Sequence, residues 1–305
     1  VLDEVRDLSY RPDRNDSGVD VYSPRDRHGL PVIVLVHGGG LIGGERAWLT
    51  EIARSLARSG FVVFNVDYSV DPALGPAFPR EVDDVMAATT WARLHASEHG
   101  GDARRLALVG PSAGGYLAAM AGLLLNRSEV VVSAVVSLSG PMDVATFPGI
   151  IPADCTGDCA APSGSGPTPN ELVGCPTTGC AEARLQAASP IDQIRAHPPA
   201  FFLANSTHEK IPLDQATTMA HALRSAGGLV ELRVVEGRGH GTDYLDEVAA
   251  DCLAFLRAHT AAPVEPTGTS HLRLLVPLLV LLVPAALVTG GGAARRRRDR
   301  RSSYA

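Results

Sequence analysis

LALVGPSAGGYL, residues 106–117, runs Leu106, Ala107, Leu108 and Val109 straight into Gly110-Pro111-Ser112-Ala113-Gly114, then into an Ala- and Leu-rich segment. A short apolar strand, a sharp glycine-flanked turn and a helix are the setting in which the serine of G-x-S-x-G becomes a nucleophile. The turn forces Ser112 into a strained backbone, so its neighbours must be nearly free of side chains. Gly110 and Gly114 meet that need, and Ala113 and Gly115 keep the start of the helix open. The pentapeptide alone also fits an ordinary glycine-rich turn. The flanking strand and helix favour the nucleophile, and the remainder of the chain can be read by what it supplies to Ser112.

Working outward, residues 31–36 (PVIVLV) form an apolar, β-branched run that ends in His37-Gly38-Gly39-Gly40. The run reads as a buried strand. The side-chain-poor loop after it leaves backbone N–H groups free to point at developing negative charge. Beside those glycines His37 reads as a buttress of the loop rather than a base. Residues 61–66, 130–138, 200–204 and 230–235 read as further buried strands; 47–59, 79–99, 213–226 and 243–259 read as helices. Strand–helix alternation predicts an α/β fold with a mostly parallel sheet covered on both faces. In the 79–99 helix, Asp83 and Asp84 read as first-turn carboxylates that favour the helix dipole.

A nucleophilic serine needs a base, and the base an orienting carboxylate; the chain order on such a sheet is serine, acid, histidine. Of ten histidines, His240 stands out, because Gly239 and Gly241 flank it in a loop between the last strand and the last helix. The acid is expected after the 200–204 strand, where Glu209 is the only carboxylate of the loop 205–212. Asp214 and Asp243 remain alternatives, as does a site without a standard acid.

These motifs together resemble the α/β-hydrolase-fold serine esterases, in particular the carboxylesterases and lipases with an HGGG oxyanion loop. The resemblance spans roughly residues 18–260 and rests on His37-Gly38-Gly39-Gly40, Val66-Asp67-Tyr68, Gly110-Pro111-Ser112-Ala113-Gly114-Gly115, Ala188-Ser189-Pro190 and Gly239-His240-Gly241. It implies an oxyanion hole built from the N–H groups of Gly39, Gly40 and Ala113. The implied chemistry is acyl transfer to Ser112 assisted by His240, with no metal or cofactor. Three positions depart from the family pattern: Pro111 replaces an acid before the nucleophile, Ser69 replaces an Arg after Asp-Tyr, and His208 stands where an Asp is common. The expected activity is hydrolysis of a short-to-medium acyl ester. An amidase or formamidase on the same site, and a non-catalytic surface-binding protein on a hydrolase scaffold, are the rival readings.

The chain has 305 residues and 45% hydrophobic content, enough for one large domain, here 1–260. Its net charge of −6 includes the arginine-rich 295–301, so the rest is more acidic still and no nucleic-acid partner is expected. Alternation breaks at 141–190, a Pro/Gly/Ser/Thr-rich insertion read as a cap over the pocket. It holds Cys155, Cys159, Cys175 and Cys180, read as disulfide-forming in preference to free thiols or a metal site. After a linker at 261–271, residues 274–294 carry no charge and basic residues follow from Arg295. That pattern predicts a transmembrane helix over 272–294, a membrane partner, a cytoplasmic tail at 295–305 and an extracytoplasmic catalytic domain. Export requires a signal, and 1–10 holds no apolar segment. The expectation is a removed signal, a misplaced start or an anchor of opposite orientation. Pro266-Thr267-Gly268 offers a weaker, cell-wall-sorting alternative.

Overall fold

The computed structural model describes residues 1–128, 130–147, 168–175 and 181–262. All of them belong to the first of two units into which the chain divides, which closes at Pro263. Eight strands form one sheet: β1 (Leu2–Ser9), β2 (Gly18–Pro24), β3 (Leu30–Val36), β4 (Val62–Val66), β5 (Gly101–Pro111), β6 (Ala134–Leu138), β7 (Ala200–Ser206) and β8 (Val230–Val235). Their spatial order is β1-β2-β4-β3-β5-β6-β7-β8. Pairs β1–β2 and β2–β4 are antiparallel, and every pair from β4 to β8 is parallel. Helices α1 (Thr50–Arg58), α2 (Arg80–His95), α3 (Ala113–Leu125), α6 (Leu213–Ser225) and α7 (Leu245–His259) cover the sheet; the short α4 (Pro169–Leu172) and α5 (Glu182–Ala188) belong to the insertion.

The sheet is buried on both sides, and its central strand β3 is apolar at every position. In β3, Val32, Val34 and Val36 pack with Val85 of α2, Leu117 of α3 and Met219 of α6. The alternate residues Ile33 and Leu35 pack with Leu56 of α1 and Phe255 of α7. Period-two alternation thus sends one strand into two cores. The α/β architecture with a mostly parallel sheet predicted from alternation is present, in the α/β-hydrolase form that the resemblance implied. The edge strand β1 was not predicted, β5 begins five residues before Leu106, and the 130–138 run enters the sheet only at Ala134. Val130 and Val132 are buried without joining the ladder, so apolar content alone overextended that strand.

The membrane part of the expected fold class is corrected. Among the described residues no helix is long and apolar enough to cross a membrane. The 272–294 segment that carried that expectation lies outside the described residues. The membrane partner and the cell-surface location rested on that segment, and nothing among the described residues supports them. Of the insertion's cysteines, Cys175 is disulfide-bonded. Cys155, Cys159 and Cys180 lie outside the described residues, as do the tail 295–305 and most of the linker.

The junction of β5 and α3 tolerates no side chain at Gly114, where an added Cβ would lie 2.1 Å from the carbonyl oxygen of Val36. That neighbour is backbone in the central strand and cannot swing away. Gly114→Ala is therefore expected to cost roughly 3 kcal/mol and to lower Tm by about 10 °C in thermal denaturation.

Candidate active site

β5 delivers Ser112 at the carboxyl end of the sheet, with φ 53° and ψ −124°, a conformation that L-residues rarely adopt. The turn is fixed from both sides. Ser112 N–H donates to Leu138 O at 2.7 Å, and its own carbonyl accepts from Gly115 N–H at 2.9 Å. With the backbone so held, Ser112 Oγ donates to His240 Nε2 at 2.9 Å. On the far side of the ring, His240 Nδ1–H donates to Glu209 Oε2 at 2.5 Å.

Glu209 follows β7, and its side chain is fully enclosed, while that of His240 stays 18% exposed. The second carboxylate oxygen, Oε1, accepts from Ser206 N–H at 2.8 Å and from Ser139 Oγ at 2.7 Å. The histidine loop is anchored separately, by His240 N–H donating to Asp243 Oδ2 at 3.0 Å. A hydrogen bond from Ser206 Oγ to Gly239 O joins it to the acid loop. Of the candidate acids, only Glu209 meets the imidazole. Asp243 caps backbone, and Asp214 is exposed at the start of α6. Ser139 and Tyr244, which the sequence reading missed, complete the surroundings of the acid.

Facing the serine is the glycine loop after β3. An added Cβ at Gly38 would lie 3.1 Å from Pro111 O and 3.3 Å from Ser112 Cβ, so glycine allows the loop to approach the serine closely. Gly40 and Ala113 line the same cavity as Ser112 and His240. Gly39 does not line it; its φ of 124° turns the loop. The N–H groups of Gly39 and Gly40 donate to no acceptor among the described residues. Ala113 opens α3, where a helix leaves its first N–H groups without intrahelical partners. His37 acts as the expected buttress. It is fully buried, its Nδ1–H donates to Gly38 O at 2.6 Å, and its ring stacks on Tyr68 at 4.2 Å. Burial lowers its pKa, so it stays neutral. Tyr68 Oη–H donates to His37 O at 3.1 Å.

The departure at Ser69 is compensated by distant arginines. Ser69 N–H donates to Asp84 Oδ2 at 3.1 Å, Arg80 Nη1 donates to Ser69 Oγ at 2.5 Å, and both Arg11 and Arg14 pair with Asp84. Asp84 is fully buried, so its role is this clamp rather than the helix dipole.

Next to it on α2, Glu81 is buried and neither carboxylate oxygen accepts a hydrogen bond. Burial raises its pKa to about 9. The folded protein therefore holds a proton that the unfolded chain releases near the usual glutamate value of 4.5, and stability falls as pH rises between those values. Glu81→Gln is expected to match the wild type at pH 4 and to be more stable by about 3 kcal/mol at pH 7, read from urea unfolding at both pH values.

The cavity at Ser112 is lined by Leu41, Tyr116, Val144, Phe147, Leu172 and Ile211, besides Pro141 and Pro169. Tyr116 Oη–H is spent on Ala188 O at 2.9 Å, so the wall it presents is apolar. Val144, Phe147 and Leu172 come from the insertion predicted to overlie the pocket.

The sequence matches the BD-FAE family model over residues 19–223. Esterase LipC of Mycobacterium tuberculosis strain ATCC 25618 / H37Rv is 31% identical over 71% of this chain and 54% of its own. The probable carboxylic ester hydrolase LipM of the same strain is 27% identical over 85% of this chain and 56% of its own. The chain thus spans about half the length of these curated relatives. Among solved structures, a truncated carbohydrate esterase from gut microbiota superposes with a TM-score of 0.71 at 20% identity, over 85% of this chain and 97% of that one. At that identity the likeness concerns the fold.

Proposed function

From the premise that this chain belongs to the BD-FAE family, we propose that it is a serine hydrolase that cleaves carboxylic esters through an acyl-enzyme. The observation that carries the proposal is the unbroken chain of hydrogen bonds from Ser112 through His240 to Glu209, at 2.9 and 2.5 Å. The esterase names of LipC and LipM support the same reaction class.

Ser112 Oγ attacks the ester carbonyl while His240 Nε2 takes its proton. The Glu209 carboxylate, facing Nδ1–H, keeps the proton-free nitrogen toward Ser112 and stabilises the imidazolium that forms. The carbonyl oxygen becomes an oxyanion within reach of the Gly40 and Ala113 N–H groups, with Gly39 contributing by shaping the loop. His240 then returns the proton to the departing alkoxide. Water, activated by the same imidazole, frees the acid. No residue of this sequence of steps calls for a metal or cofactor. The apolar described walls suit an uncharged acyl chain of short to medium length, and the partner is a small-molecule ester.

The test is hydrolysis by the whole chain of p-nitrophenyl acetate, butyrate and octanoate beside p-nitroacetanilide, with fluorophosphonate labelling mapped by peptide mass. Ester turnover with a single adduct on Ser112 is the expected result. Faster anilide than ester cleavage would replace the reading by an amidase, and a chain neither labelled nor active would leave a binding protein on a hydrolase scaffold.

A further inference from the structure

Ser139 sits at the end of β6 with φ 58°, left-handed backbone that a serine adopts at a cost, and is fully buried. Its Oγ has three neighbours: Glu209 Oε1 at 2.7 Å, Gly241 N at 2.8 Å and Tyr244 Oη at 2.7 Å. The hydroxyl has one proton to give. Gly241 N–H can only donate, and an ionised carboxylate can only accept, so the proton goes to Glu209 and the lone pairs face Gly241 and Tyr244. The single Tyr244 Oη–H proton is shared between that lone pair and Ala204 O, which lies at 2.8 Å, and Ser139 N–H donates to the same carbonyl at 2.8 Å. One hydroxyl thus touches the acid and the residue that follows the base, and its backbone is stitched to β7.

We propose that Ser139 is a positioning residue for hydrolysis: its hydroxyl pins Glu209 Oε1 and the His240 loop together, so that Oε2 meets His240 Nδ1. The proposal rests on the reading of Glu209 as the acid. A glutamate side chain has one more rotatable bond than an aspartate, so it needs a fixed second oxygen to hold the first on target. Ser206 N–H fixes Oε1 from the acid's own loop; Ser139 fixes it from the neighbouring strand and adds the tie to Gly241. Without the Ser139 hydroxyl, the carboxylate keeps one donor and gains freedom to rotate, and the histidine loses a reference point through Gly241.

The test uses Ser139→Gly, which accepts the left-handed backbone without strain, and Ser139→Cys, which keeps the shape with a weak donor. With p-nitrophenyl butyrate, kcat is expected to fall about 10- to 100-fold in Ser139→Gly, with KM little changed and an intermediate loss in Ser139→Cys. Combined with Glu209→Gln, Ser139→Gly should add almost nothing, because the hydroxyl acts through the carboxylate. Losses that multiply in the double variant, or an unchanged kcat in Ser139→Gly, overturn the proposal. If Glu209→Gln alone retains the wild-type rate, the assignment of the acid has failed, a distinguishable result. A readout that needs no ester is the low-field proton resonance of His240 Nδ1–H. It should shift or broaden in both Ser139 variants, and an unmoved resonance would count against the proposal whatever the substrate.

Discussion

Replacing Ser112 by Ala is expected to lower kcat on p-nitrophenyl butyrate by about 10⁶-fold, with KM little changed. A loss of that size is about 8 kcal/mol of transition-state stabilisation. The reason is covalent: without Oγ no acyl-enzyme forms, and His240 has no proton to take. The oxyanion donors and the apolar cavity survive the change, so a small residual rate over water should persist. Fold stability should stay within about 1 kcal/mol of the wild type, because the variant loses one half-exposed hydrogen bond and keeps the same backbone. Stopped kinetics with unchanged thermal unfolding assign the loss to chemistry. A Ser112→Ala variant that still turns over esters at the wild-type rate would remove the serine from the mechanism.

What the sequence disclosed follows a physical division. The strands at 31–36, 61–66 and 106–109 were legible because burial on both faces demands near-continuous apolar runs, broken only by Asn65, a signal needing no partner to be read. Ser112 and His240 were legible because glycines must surround them. β1 escaped because LDEVRDLS is an edge strand with its middle exposed, so neither alternation nor apolar content marks it. Asp84 looked like a helix-dipole carboxylate, since its partners Arg11 and Arg14 lie 73 and 70 residues away. Ser139 escaped for the same reason: its three side-chain partners are brought to it only when β6, β7 and the histidine loop are assembled. Local pattern encodes elements and strained turns; the contacts that orient the acid are long-range. The expected C-terminal span has no counterpart among the described residues, none of whose helices is long and apolar enough to cross a membrane.

The identity of the acid, which the sequence left among three aspartate and glutamate positions, leads to the second large effect. Glu209→Gln is expected to lower kcat by about 10⁴-fold. The surroundings of Oε1 dictate this. Ser139 Oγ and Ser206 N–H both donate into that position, so the glutamine must place its carbonyl oxygen there. Its NH2 group then faces His240 Nδ1, where the carboxylate oxygen had been accepting at 2.5 Å. A donor opposite Nδ1 makes that nitrogen an acceptor and moves the ring proton to Nε2, which can no longer take a proton from Ser112. The glutamine is thus worse than a simple absence: Glu209→Ala, which leaves Nδ1 free to keep its proton through water, should retain more activity than Glu209→Gln. Steady-state kinetics of the two variants on one ester provide the comparison. Equal rates would mean that tautomer control is not how the carboxylate acts, and a wild-type rate in Glu209→Gln would dissociate it from the reaction.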